Sequence, residues 1–187
     1  MIEVLSKKIA KSLIQNGTDH YSEEVLAYGA ECSLNLILSN AILLFIGLLT
    51  HHTIDLIIWS LSFVLLRKDL GGIHASSHFA CISIGSFVGA SSIIISPLLL
   101  YNKGITLLIL FFCFIISVVI APVPHINKLY LLANKPVIQR KVAVILLLEL
   151  TIAGIFYLWF PLHVPYILSG IIYATFFAIL GYWFNPR

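Results

Sequence analysis

The chain has 187 residues, of which 60% are hydrophobic and only 10% charged, with a formal net charge of +3. Soluble domains run at roughly 45–50% apolar and about 25% charged, so the composition excludes a soluble globular protein. It describes an integral membrane protein of a single domain, residues 1–187, whose obligate partner is the lipid bilayer and for which no nucleic-acid partner is expected.

The first residues lack the continuous apolar core and small-residue cleavage site of a cleavable signal, and none is expected. Ile2, Leu5, Ile9 and Leu13 recur at helical spacing, while Lys7, Lys8, Lys11 and Gln15 take the other side. That is the pattern of a basic amphipathic helix lying on an anionic inner leaflet; a plain membrane anchor is the commoner use of such a face, and docking of a partner peptide is the alternative. Asn16-Gly17 ends the helix. A second interfacial helix is expected from Ser22 as N-cap, with Glu23 and Glu24 in its first turn. Residues 1–32 are therefore read as interfacial helices and residues 33–187 as a transmembrane bundle, all α-helical and polytopic.

A spanning helix needs about 20 largely apolar residues, and six stretches approach that length: 33–50, 54–66, 79–100, 104–123, 142–160 and 164–184. The second is short unless the polar residues after it continue the helix. Pro97, Pro122, Pro124, Pro161 and Pro165 fall at or near helix ends, where a missing N–H costs least. With the N-terminus inside and six crossings, every basic residue except Lys103 falls on the cytoplasmic side, whereas five crossings would place the Lys128–Lys141 cluster opposite the N-terminus. The positive-inside rule thus favours six spans with both termini cytoplasmic.

One polar patch, Arg67 to Cys81, interrupts this pattern on the cytoplasmic face, with His74, His78 and Cys81 within eight residues. Three cysteines on a chain with little extracellular mass argue against a disulfide framework. Cys113 lies mid-span and Cys32 begins a span, where packing is the ordinary role. Cys81 lies early in a helix and close to two histidines, the setting that makes a thiol nucleophilic. On one continuous helix His78 is a turn away, whereas His74 is two turns, roughly 10 Å along the axis. Gly71-Gly72 breaks a helix, however, and Ser76 or Ser77 is a good N-cap, so a loop can return His74 over Cys81. Spacing alone leaves the two imidazoles equal.

Arg67, Gly72, His74 and Cys81, arranged as R-x4-G-x-H-x6-C and followed some forty residues later by Ala121-Pro122 and a basic loop, resemble the accessory gene regulator B (AgrB) family. The resemblance covers most of the chain. It implies a bacterial cell-membrane cysteine endopeptidase of quorum sensing with no cofactor and no metal. Cys81 matches the family's nucleophile and His74 its histidine, with Arg67 and Gly72 structural or substrate-positioning. The implied substrate is a short propeptide (AgrD-like), cut on the C-terminal side of its signal segment; the peptide's own cysteine then resolves the acyl-enzyme to a thiolactone. His78 receives no role from the resemblance. The basic loop departs from the family pattern, because apolar Leu129 to Leu132 separate Lys128 from Lys135, Arg140 and Lys141. Those lysines either attract an acidic propeptide tail or merely set topology.

Cys81, Gly85, Gly89 and Ser92 form a small-residue stripe that turns Cys81 toward the bundle interior or toward a second copy in a homodimer. Glu149, inside a span, is expected to pair with a basic group of another helix or to orient His74; Asp69 is the other candidate third group. The rival class is a membrane metal-binding or transport protein using His74, His78 and Cys81 as ligands, with His125 a candidate fourth. It lacks a His-Glu-x-x-His pattern and the paired broken spans of transporters.

Overall fold

The computed structural model describes residues 2–17, 22–73, 77–123 and 134–184. These form seven α-helices: α1 (Ile2–Gln15), α2 (Glu23–Thr50), α3 (Thr53–Leu70), α4 (His78–Leu98), α5 (Lys103–Ile120), α6 (Lys135–Trp159) and α7 (Val164–Phe184), with a short 3-10 turn over Pro161–His163. No strand occurs among the described residues, and the all-α polytopic reading holds. Five helices, α2, α4, α5, α6 and α7 with its preceding turn, are long and apolar enough to cross a bilayer.

The sixth stretch is α3. It reaches 18 residues because Arg67 to Leu70 continue the helix, giving about 27 Å at 1.5 Å per residue. Its charges lie near its ends, at Asp55, Arg67, Lys68 and Asp69. Other boundaries moved as well. The second interfacial helix and the first span are one continuous helix of 28 residues, α2, with Ser22 as its cap: the Val25 N–H donates to Ser22 Oγ at 3.4 Å. Helix α6 begins at Lys135, so Lys135, Arg140 and Lys141, expected in a loop, occupy its first two turns behind Pro136. Charged residues sit comfortably on a helix that has left the hydrocarbon.

The chain groups into two compact units: residues 1–42 with 75–86, and residues 43–74 with 87–187. In the first, Asn16-Gly17 ends α1 as expected. Its Ser6 and Ala10 are fully buried, while Leu5 and Leu13 stay exposed. The helix therefore docks through small residues, and of the stripe read as its apolar face Ile2 and Ile9 are half-buried while Leu5 and Leu13 look outward.

In the second unit α7 is buried along most of its length against α3, α5 and α6. Its core joins Leu66, Leu70, Leu110, Val123, Val142, Leu146, Ile171, Ala174 and Ala178. Small residues on α7 let backbones close up, the usual device where lipid removes the hydrophobic drive for helices to associate. Buried hydroxyls pair across the helices, Ser117 with Thr175 at 2.9 Å and Ser96 with Ser169 at 2.7 Å. At the N-terminal end of α3, Asp55 accepts hydrogen bonds from two imidazoles, His52 Nδ1 and His163 Nδ1, each at 2.7 Å.

Candidate functional site

The polar patch begins on the last turn of α3. The Arg67 guanidinium lies over two rings, 5.4 Å from the Phe63 centroid and 5.0 Å from that of Phe177, and its Nη2 donates to the Ile73 carbonyl. Such stacking suits the planar, weakly hydrated guanidinium. The helix stops at Gly71, whose N–H returns to Arg67 O at 2.9 Å. Gly71 and Gly72 take φ of 83° and 140°, values that side chains resist.

From there the chain runs as a short extended segment stitched by backbone bonds in addition to the Arg67 contact. Val123 N–H donates to Leu70 O at 2.8 Å, Gly72 N–H to Val123 O at 3.3 Å, and Ile73 N–H to Phe177 O at 3.1 Å. A Cβ at Gly72 would stand 2.8 Å from the Phe177 carbonyl oxygen, and one at Gly71 would strike Val123 O. The Ala121-Pro122 element of the sequence motif thus leads into Val123, the partner strand residue of Gly71. His74 and Lys128 lie outside the described residues, as does His125.

Ser77 opens α4. Its Oγ accepts from the Ala80 N–H at 3.2 Å and its carbonyl from the Cys81 N–H at 3.0 Å, the N-cap geometry expected from the sequence. Cys81 therefore occupies the first turn of α4. Its side chain is partly exposed, whereas Cys113 is buried, and none of the three cysteines is in a disulfide. Tyr28 of α2 lies within electrostatic reach of Cys81 and of Cys32.

His78 shares that first turn, and the structure gives it partners. Asn35 Nδ2 lies 3.1 Å from His78 Nδ1, while His78 Nε2 faces Glu3 Oε1 at 3.9 Å and Glu31 Oε2 at 4.0 Å. With the amide donating to Nδ1, the ring proton resides on Nε2 and points at two carboxylates. The reverse amide orientation would turn a lone pair on them. Nδ1 is thus hydrogen-bonded, while Nε2 faces the carboxylates from beyond hydrogen-bond distance. Ser6 Oγ completes the cluster, donating to Glu31 Oε1 at 3.1 Å.

Glu149 is 5% exposed. Its partner is a hydroxyl and not the basic group expected: Ser62 Oγ stands 3.0 Å from Glu149 Oε2 and 3.0 Å from the Ile167 carbonyl. Glu149 Oε1 has no hydrogen-bond partner among the described residues. Asp69 lines a groove of about 460 Å³ with Val137, Arg140, Lys141, Val144 and Ile145, and Lys135 is exposed at the start of α6. Among the described residues no group of three His, Cys, Asp or Glu side chains could hold a metal ion.

The accessory gene regulator B family model matches residues 6–183, nearly the whole chain. The chain belongs to the accessory gene regulator B family. Family membership and the apolar helices together make it a membrane protein of a peptidase-type family of quorum sensing. No curated protein and no solved structure matches it. Within the family motif, Arg67 and Gly72 belong to the fastening of the segment before His74, and Ser77 is the cap of the helix that carries Cys81. Sequence reasoning missed Asn35, Glu31 and Phe177 as partners. Asn35 offered a signal, being an amide inside an apolar span, a costly place that asks for a partner.

Proposed function

We propose that this protein is an integral membrane cysteine endopeptidase that cleaves a short AgrD-like propeptide and closes the released segment into a thiolactone. The observation that carries the reading is the setting of Cys81: a partly exposed thiol in the first turn of a Ser77-capped helix, beginning four residues after an extended segment that Arg67 and Gly72 fasten. His74, the next residue after that segment, is the base. His78 is instead held by Asn35 through Nδ1, with Nε2 turned toward the Glu3 and Glu31 carboxylates.

Chemically, the Cys81 thiolate attacks the scissile carbonyl, and the tetrahedral oxyanion collapses with cleavage of the C–N bond. The leaving amine takes a proton from the His74 imidazolium, releasing the acidic tail and leaving an acyl thioester on Cys81. His74 then accepts the proton of a thiol within the peptide, that sulfur attacks the thioester, and Cys81 departs as thiolate. Exchange of one thioester for another is nearly balanced, so proximity and exclusion of water decide against hydrolysis. Lys128, Lys135, Arg140 and Lys141 attract the acidic tail from the cytoplasmic side, where both termini and the active site lie.

Co-expression with a short propeptide bearing an internal cysteine and an acidic C-terminus tests this reading. Cleaved product is expected from the wild type and none from Cys81→Ser or His74→Ala; iodoacetamide stops cleavage and EDTA does not. Cleavage that survives Cys81→Ser, or that EDTA abolishes while iodoacetamide spares it, overturns the peptidase reading in favour of a metal-dependent one.

A further inference from the structure

His78, left without a role by the family motif, has three polar partners among the described residues. It is on the first turn of α4, three residues before Cys81. Its partners come from two other helices: Asn35 and Glu31 from α2, and Glu3 from α1. Glu31 in turn takes a hydrogen bond from Ser6, which is fully buried on α1 and also donates to the Glu3 carbonyl at 2.9 Å. The buried face of α1, Ser6 and Ala10, is made of small residues. A helix that only floated on lipid would not need to bury a serine against a carboxylate from α2.

We propose that His78 is a positioning residue for the nucleophile, fastening the N-terminal amphipathic helix and α2 to the turn that carries Cys81. It rests on Cys81 being the nucleophile. Asn35 holds the ring by Nδ1, and the Nε2–H is thereby aimed at the Glu3 and Glu31 carboxylates. This fixes the rotation of the first turn of α4 and with it the direction in which the Cys81 thiol projects. The N-terminal helix is then a working part of the active-site housing as well as a contact with the membrane. His78 touches no reacting atom in this scheme.

The test reads thiol reactivity and turnover separately in native membranes. Iodoacetamide alkylation of Cys81 is followed by mass spectrometry of the Cys81 peptide, and propeptide cleavage is resolved into kcat and KM. His78→Ala is expected to slow both alkylation and kcat by about three- to tenfold, the effect of losing one hydrogen-bonded contact, with KM unchanged. His78→Gln, whose amide accepts from Asn35 and donates to the carboxylates, returns both to within about twofold of wild type. The pair Glu3→Gln and Glu31→Gln gives a loss similar to His78→Ala, and adding His78→Ala to it brings no further loss, because the three act as one unit. Wild-type alkylation in His78→Ala overturns the proposal, and so does a failure of His78→Gln to restore it. A loss in His78→Ala as complete as that in His74→Ala makes His78 a base and overturns it too. Should the wild type cleave no propeptide, the peptidase reading falls while the alkylation arm still decides the positioning role.

Discussion

At Arg67 one guanidinium meets three partners: the Phe63 ring a turn earlier on the same helix, the Phe177 ring on α7 and the Ile73 carbonyl beyond the glycines. Arg67→Lys keeps the charge but offers a compact ammonium with no plane to lay between rings. It is expected to lower propeptide cleavage by about tenfold, since the segment it holds delivers the residue next to it, His74. Gly72→Ala is expected to do at least as much by driving a Cβ into the Phe177 carbonyl, 2.8 Å away. Both are checked by product yield on co-expression, with immunoblots of the membrane fraction to normalise for the amount of enzyme; cleavage at wild-type levels would separate the segment from catalysis. That these two residues share one motif with His74 and Cys81 was legible from the family resemblance. The reason was not, because Phe177 and Val123 are brought to them only by the folded bundle. The same holds for His78: helical periodicity placed it nearer Cys81 than His74, the Gly71-Gly72 break made the two level, and its tertiary partner Asn35 was not foreseen.

Helix existence followed directly from hydropathy, and α7 was bounded correctly at both ends. Boundaries slipped where charge meets helix, at Arg67 to Leu70 and at Lys135 to Lys141, since a hydropathy window stops at the first charges whereas a backbone continues as long as its hydrogen bonds do. The small-residue stripe of α4 packs as the sequence suggested. A Cβ at Gly89 would lie within 2.9 Å of Trp59 and closer still to Leu43, whereas one at Gly154 on α6 meets nothing within 4 Å. Gly89→Leu is therefore expected to destabilise the protein by about 1–3 kcal/mol through overpacking, and Gly154→Leu to be tolerated. Thermal denaturation of the two variants in the same detergent tests the contrast; equal melting temperatures would contradict this packing.

For the molecule as a whole, five helices are long and apolar enough to cross a bilayer, and six crossings with both termini inside is the topology proposed from charge asymmetry. In cells expressing single-cysteine variants, Lys103→Cys is expected to react with a membrane-impermeant maleimide added outside, and Lys8→Cys only after permeabilisation. Equal labelling of both would reject this topology. The acidic cluster at the other end of α3 was illegible in the sequence, because His52 and His163 are 111 residues apart and meet only at the Asp55 carboxylate. It has a mechanical consequence. Helix α3 is gripped at one end by two imidazoles on Asp55 and at the other by the stacking of Arg67 and the bonds that follow it. A rod clamped at both ends neither tilts nor slides, so α3 is a fixed post against which α7 packs along its length.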